Sequence, residues 1–123
     1  MTAAAVPLVA LRGVDKVFAN GTQALCGLDL ALGEHEFLSL LGPSGCGKST
    51  ILNMVATLIA PNRGDIRVDG VPVVPGRPIR HVGYVFQKDT LFPWRTVEGN
   101  IGYSLELAGV AADERRARVA EAI

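Results

Sequence analysis

Gly42-Pro43-Ser44-Gly45-Cys46-Gly47-Lys48-Ser49 fits G-x-x-x-x-G-K-[ST], the pattern of a phosphate-binding loop. Its four fixed positions would coincide by chance in roughly one chain of this length in a few hundred. Glycines at 42, 45 and 47 let the backbone turn tightly and aim successive N–H groups at phosphate oxygens, where the positive end of a following helix adds attraction. Lys48 supplies a mobile cation for the β- and γ-phosphates, and Ser49 offers a hydroxyl to Mg²⁺. Thr50 is placed to donate to the α-phosphate, or else is an ordinary first-turn helix residue. Pro43, Ser44 and Cys46 fill the variable positions. Cys46 is a plain filler unless the helix dipole and Lys48 draw it toward the thiolate.

The elements flanking the loop are those it needs. Phe37-Leu38-Ser39-Leu40-Leu41, almost wholly apolar, reads as a strand buried on both faces. After the loop, Ile51, Met54, Val55, Leu58 and Ile59 follow the i, i+3, i+4, i+7, i+8 spacing of a helix with one buried face. Pro61 ends that helix at Ala60. Upstream, Leu8 to Phe18 and Leu25 to Leu32 flank the turn-like Ala19-Asn20-Gly21-Thr22 and predict an antiparallel hairpin. Downstream, Asp69-Gly70 between Ile66 to Val68 and Val71 to Val74 signals a second hairpin. His81 to Phe86 reads as a further strand ending at Gln87. Thr96 caps a helix carrying Ile101, Leu105 and Ala108, and after Gly109 another helix starts near Asp113. There is no internal repeat and no low-complexity segment.

Composition sets the outer limits. The 123 residues amount to about one domain. Twelve basic residues balance twelve acidic ones, and 49% of the chain is hydrophobic, which describes a globular protein and not one steered to nucleic acid by charge. The 14 glycines and seven prolines exceed their usual share of roughly 12%. Two cysteines, Cys26 and Cys46, do not make a disulfide scaffold and point to a reducing compartment. The apolar stretch Ala3 to Leu11 has no preceding Lys or Arg and is interrupted by Pro7, which argues against an export signal.

The chain resembles the ATP-binding subunits of ABC transporters over essentially its whole length. Gly42 to Thr50 is similar to that family's phosphate loop (Walker A), Gly64-Asp65-Ile66-Arg67-Val68-Asp69-Gly70 to its following hairpin, and Val82-Gly83-Tyr84-Val85-Phe86-Gln87 to the strand leading into its Q-loop. The run Gln87-Lys88-Asp89-Thr90-Leu91-Phe92-Pro93-Trp94-Arg95-Thr96-Val97 is similar to the nitrate, sulfonate and taurine importer branch. The resemblance implies an α/β fold of the P-loop NTPase type, with a β-subdomain and P-loop core over 1–86 and the Q-loop and beginning of a helical subdomain over 87–123. It implies ATP and Mg²⁺ as cofactors, with residues 42–50 holding the nucleotide. Phe18 matches the position whose ring stacks on adenine. Gln87 corresponds to the residue near Mg²⁺ and the attacking water, and Trp94 lies in the segment that meets a transmembrane permease subunit. A second ATP-binding subunit, packed head to tail, and a peripheral place on the cytoplasmic face of the membrane follow from the same resemblance. His35 and His81 are isolated, without metal-ligand spacing. At position 57, where the family commonly has glycine, this chain has Thr57.

Hydrolysis also needs carboxylates to hold Mg²⁺ and to polarise water. The family carries them on a later strand beside the P-loop strand, after a Leu-Ser-Gly-Gly-Gln signature, and this sequence contains neither signature nor strand. Val110-Ala111-Ala112-Asp113-Glu114 imitates the carboxylate strand, but Ala and Gly are poor strand formers and acids suit a helix start. The expectation is therefore a chain that binds Mg-ATP and does not turn it over alone, with marginal folding and an unpartnered P-loop strand. The alternatives are a non-catalytic nucleotide-binding module, and a P-loop kinase or GTPase. No Asn is followed by Lys, so the guanine motif is missing, and about forty β-like residues precede the loop, unlike small-molecule kinases.

Overall fold

In the computed structural model the described residues are 5–45 and 47–123, and the chain forms two compact units, Met1–Tyr84 and Val85–Ile123. Cys46, with its proposed thiolate, and the first residues of the apolar N-terminal stretch lie outside the described residues.

In the first unit, β1 (Val9–Val17), β2 (Gln23–Leu32), β3 (Arg63–Val68) and β4 (Val71–Pro72) make an antiparallel sheet in the order β2-β1-β3-β4. The first hairpin forms as the sequence predicts, closed by Phe18 N–H donating to the Thr22 carbonyl at 2.9 Å and by Asn20 Oδ1 accepting from Thr22 N–H at 3.0 Å. At the second, Asp69 and Gly70 have φ of 51° and 74°, both positive as a type I′ turn requires. Leu11, paired with Leu30 on β2 and Ile66 on β3, stands at the centre of the sheet. Together with Val14, Leu25 and Ile66 it meets Ile51 and Met54 of helix α1 (Lys48–Val55), and these six form the core.

Two glycines interrupt the paired strands at matching places. Gly13 and Gly27 have φ of 56° and 57°, left-handed values that bulge a strand without a Cβ penalty. Each is followed two residues later by an aspartate, and the carboxylates bond across. Asp29 Oδ1 accepts from Gly13 N–H at 2.7 Å, and Asp15 Oδ1 accepts from Gly27 N–H at 2.5 Å. A bulge leaves a backbone donor without its ladder partner; here the opposite strand's carboxylate supplies one.

Three expectations are corrected. Phe37–Leu41 carries no strand, and among the described residues its backbone makes no ladder hydrogen bond. Leu40 packs on the core, but Phe37 and Leu41 are 94% and 92% exposed. The 82–86 segment likewise lies outside the sheet. An apolar run becomes a buried strand only where neighbouring strands take its N–H and C=O groups, and the four strands among the described residues pair with one another. Helix α1 stops at Val55, well short of Pro61. Thr57 N–H donates to the Met54 carbonyl at 3.1 Å and Leu58 N–H to the Asn53 carbonyl at 2.9 Å, a Schellman termination with Thr57 at φ 66°. The left-handed residue of that motif favours glycine, the residue that the resemblance leads one to expect at position 57; Thr57 is there a strained, buried threonine.

The second unit contains α2 (Val97–Ile101), α3 (Tyr103–Leu107) and α4 (Ala112–Ala122). The single helix expected after Thr96 is split at Gly102, but its cap is as predicted, Thr96 Oγ1 accepting from Gly99 N–H at 3.0 Å. Gly102 is buried against Val119 of α4, where an added Cβ would stand 3.1 Å from the valine. Asp113 and Glu114 occupy the first turn of α4 and pair with Arg116 and Arg118 on the same helix, so the strand imitation is helix, as the residue types implied.

The paired bulges give the first testable outcome. Asp15→Ala and Asp29→Ala each remove one carboxylate acceptor from a solvent-accessible backbone donor, and urea unfolding should find each variant destabilised by about 1 kcal/mol. Wild-type stability in both would show that the carboxylates do not hold the bulges.

Candidate nucleotide-binding site

The phosphate loop joins the exposed 37–41 segment to α1. Gly47 is the N-cap of that helix, with φ 89°. A Cβ on Gly47 would stand 2.7 Å from the Ala24 carbonyl and 2.8 Å from Leu25 Cδ2. Only glycine meets both demands, the left-handed backbone and the close approach to β2. By contrast, Gly45, at φ 82°, has nothing within 4 Å of such a Cβ. Thus the end of the loop nearest the helix is seated on the sheet.

No side chain caps the N-terminus of α1, and its first turn has no acidic residue. Uncompensated helical N–H groups there favour an anion. Lys48 Nζ donates to the carbonyls of Gly42 at 2.5 Å and Pro43 at 2.7 Å, folding over the start of the loop. Ser49 is exposed beside it, whereas Thr50 is buried in the face of α1 that meets the sheet. Thr50 is therefore first of all a packing residue, with only its hydroxyl to offer. Pro43 and Ser44 are exposed. Backbone donors at a helix start, a lysine held by weak carbonyl acceptors and an accessible hydroxyl suit a nucleoside triphosphate with Mg²⁺.

Phe18 lies just past the end of β1, 39% exposed, with the Lys16 ammonium 5.4 Å from its ring centroid. Lys16 Nζ also donates to the Ala60 carbonyl at 2.7 Å, and Asn62 Oδ1 accepts from Val17 N–H at 2.7 Å. The strand end carrying Phe18 is thereby tied to the segment after α1. Sequence reasoning missed one further contact, Tyr84 Oη donating to Asn53 Oδ1 at 2.7 Å on the phosphate-loop helix. A polar residue within an amphipathic helix was the available signal.

Gln87 and Trp94 belong to the second unit. Gln87 is exposed, and Trp94 is 77% exposed with its ring centroid 5.3 Å from that of Phe92. Behind Trp94 is a built support. Asn100 Oδ1 accepts from Phe92 N–H at 2.7 Å, and its Nδ2 donates to the Thr96 carbonyl at 2.9 Å. Phe92 packs edge-on against Tyr103 at 4.8 Å, and Arg95 lies over the Tyr103 ring, also at 4.8 Å. Arg95 also pairs with Glu106 at 2.8 Å. That hydrogen bond is the main cause holding the Glu106 carboxyl below the ordinary glutamate range, and it raises Arg95 in turn. Among the described residues no group of three or more His, Cys, Asp or Glu could hold a metal, and no helix is long and apolar enough to cross a membrane.

A glycine-seated loop running into a helix that packs on a sheet defines a P-loop protein of the α/β class. The ABC transporter family matches residues 25–123, and the chain belongs to it. The taurine import ATP-binding protein TauB of Pseudomonas fluorescens is 48% identical over 97 residues, 79% of this chain and 36% of that protein. The sn-glycerol-3-phosphate import ATP-binding protein UgpC of Rhodopseudomonas palustris is 44% identical over 115 residues, 93% of this chain and 32% of that protein. Among solved structures, the ATP-binding cassette MJ0796 in a dimeric post-hydrolysis state bound to ADP and Pi superposes with a TM-score of 0.80 at 31% identity, covering 92% of this chain and 54% of that one. The chain thus spans about a third of these curated relatives and about half of the solved cassette.

The Arg95–Glu106 pair sets a pH dependence. A carboxylate whose folded value is lowered adds stability above its unfolded value and loses it as pH falls through the folded one. The stability difference between wild type and Glu106→Gln should be constant above pH 4.5, the ordinary glutamate value, and should shrink below it. A difference independent of pH would show that the pair contributes nothing through ionisation.

Proposed function

We propose that this chain is the ATP-binding portion of the ATPase subunit of an ABC importer. The observation that carries the reading is the seating of Gly47 on β2, with α1 starting uncapped at Lys48. Gly42, Gly45, Gly47 and the backbone of the intervening residues, Cys46 included, cradle the phosphates. Lys48 exchanges the Gly42 and Pro43 carbonyls for β- and γ-phosphate oxygens, a stronger charge-assisted set of acceptors. The Ser49 hydroxyl is a hard oxygen ligand for Mg²⁺, which neutralises phosphate charge during transfer. Thr50 donates to the α-phosphate, and Phe18 stacks on adenine with the face not taken by Lys16.

Gln87 takes the role that the resemblance gives it, at Mg²⁺ and the attacking water, and Trp94 faces a transmembrane permease subunit. The exposure of Trp94 beside the hydrogen-bonded and ring-packed Phe92, Asn100 and Tyr103 suits an interfacial anchor. The working protein pairs with a second ATP-binding subunit head to tail, at the cytoplasmic face of the membrane. A small anion such as taurine, another sulfonate or nitrate is the transported substrate; the likeness to TauB and the 87–97 run support it. These 123 residues contain no carboxylate pair of the kind that polarises water, so on their own they bind Mg-ATP without turnover.

Titration with a fluorescent ATP analogue tests the site. Lys48→Ala should weaken binding by about 1.5 to 3 kcal/mol, roughly 10- to 150-fold, the loss of a charge-assisted phosphate contact. Unchanged affinity in the variant contradicts the assignment, and phosphate release by the wild-type chain without any partner contradicts its lack of turnover.

A further inference from the structure

Within the first unit, and sharing no residue with the phosphate loop, is a cavity of about 460 Å³ between the β3–β4 hairpin, the start of β1 and the 77–82 loop. We infer that this cavity binds a small amphipathic organic anion, an aliphatic carboxylate or sulfonate. Its volume falls in the range of small-molecule sites, roughly 300 to 1,000 Å³. Leu8, Val68, Val71 and Val74 give it an apolar wall, and Arg77 and Arg80 stand at the same cavity. Among the described residues neither guanidinium has an ion pair or a side-chain hydrogen bond. Asp69 is the one acid in the lining, and it pairs with neither arginine.

Two cations against one carboxylate, beside aliphatic surface, complement a molecule with a negative head and an apolar body. A neutral apolar ligand would leave both guanidiniums unused, and a bare inorganic anion would leave the aliphatic wall uncovered. The walls are fixed by the backbone. Asp69 N–H donates to the Leu8 carbonyl at 2.7 Å, Arg77 N–H to the Val74 carbonyl at 3.0 Å, and Gly76 N–H to the Thr57 carbonyl at 2.8 Å. His81, also in the lining, is held at φ 70°. A left-handed non-glycine residue is a strained arrangement of the kind that gathers at ligand clamps. The hydrogen bond from Gly76 also ties this wall to the end of the phosphate-loop helix.

The experiment is an NMR titration of the isotopically labelled chain with 1-hexanesulfonate and hexanoate, with 1-hexanol and methanesulfonate as the partners lacking the charge or the tail. Both hexyl anions should shift residues 8–9 and 68–82, and should bind about tenfold or more tightly than hexanol and methanesulfonate. The double variant Arg77→Ala/Arg80→Ala should weaken hexanesulfonate binding about tenfold or more, while Arg77→Lys/Arg80→Lys retains most of it. Val71→Glu, an exposed position on the wall, should weaken the anions but not hexanol, and stands in if the alanine pair disturbs the fold. Equal affinity for hexanol and hexanesulfonate would overturn the inference in favour of a plain apolar crevice. Shifts centred on residues 42–50, full affinity in the double-alanine variant, or no binding of either hexyl anion would also overturn it.

Discussion

A phosphate cradle needs its backbone donors fixed before the phosphate arrives, because ordering a glycine-rich loop on binding would cost entropy at every residue. In this chain the fixing contact is between Gly47 and β2. The Gly47 backbone lies so close to the Ala24 carbonyl that no side chain fits between them, and its left-handed φ turns the chain directly into α1. From that point Ile51 and Met54 are aimed at Leu11, Val14, Leu25 and Ile66, and the core is assembled around them. Loop, helix and core therefore share one origin. The segment before the loop contributes little to this hold, since only Leu40 of the 37–41 run packs on the core.

The sheet that bears this contact is irregular, and its irregularity is compensated. Bulges at Gly13 and Gly27 break the β1–β2 ladder, and the two aspartates restore a partner to each glycine N–H. A carboxylate is a stronger acceptor than the carbonyl it replaces. The strand end that carries Phe18 is tied through Lys16 and Val17 to Ala60 and Asn62, beyond α1. The three pieces we propose for nucleotide binding, Phe18, the loop and the start of α1, are thus connected through β1, β2 and the segment after the helix.

Much of this was legible in the residues. The Asp69-Gly70 turn and the Thr96 cap depend on local chemistry, and both formed; the amphipathic spacing after the phosphate loop is helix as far as Val55. What was not legible depended on distant partners. The run Phe37-Leu38-Ser39-Leu40-Leu41 reads as a strand buried on both faces because its composition reports the surroundings it suits, and composition does not supply the neighbouring strands. Pro61 is the stronger helix breaker in the sequence, but the backbone hydrogen bonds of Thr57 and Leu58 end α1 before it. The cross-strand glycine–aspartate pairs were invisible to a period-two reading, since a bulge changes register without changing composition. The hold of Asn100 on Phe92, whose ring Trp94 meets, likewise comes from side-chain geometry that spacing does not encode.

The central claim, that the phosphate loop is held in its binding shape by the seating of Gly47 on β2, is tested most directly by comparing the ATP affinities of Gly47→Ala and Gly45→Ala. Both glycines have a left-handed φ, so both variants carry the backbone strain, but only at position 47 does the added carbon meet the Ala24 carbonyl. Gly47→Ala should bind ATP weaker than Gly45→Ala by about tenfold or more, a difference of about 1.4 kcal/mol. Equal affinities in the two variants would contradict the claim.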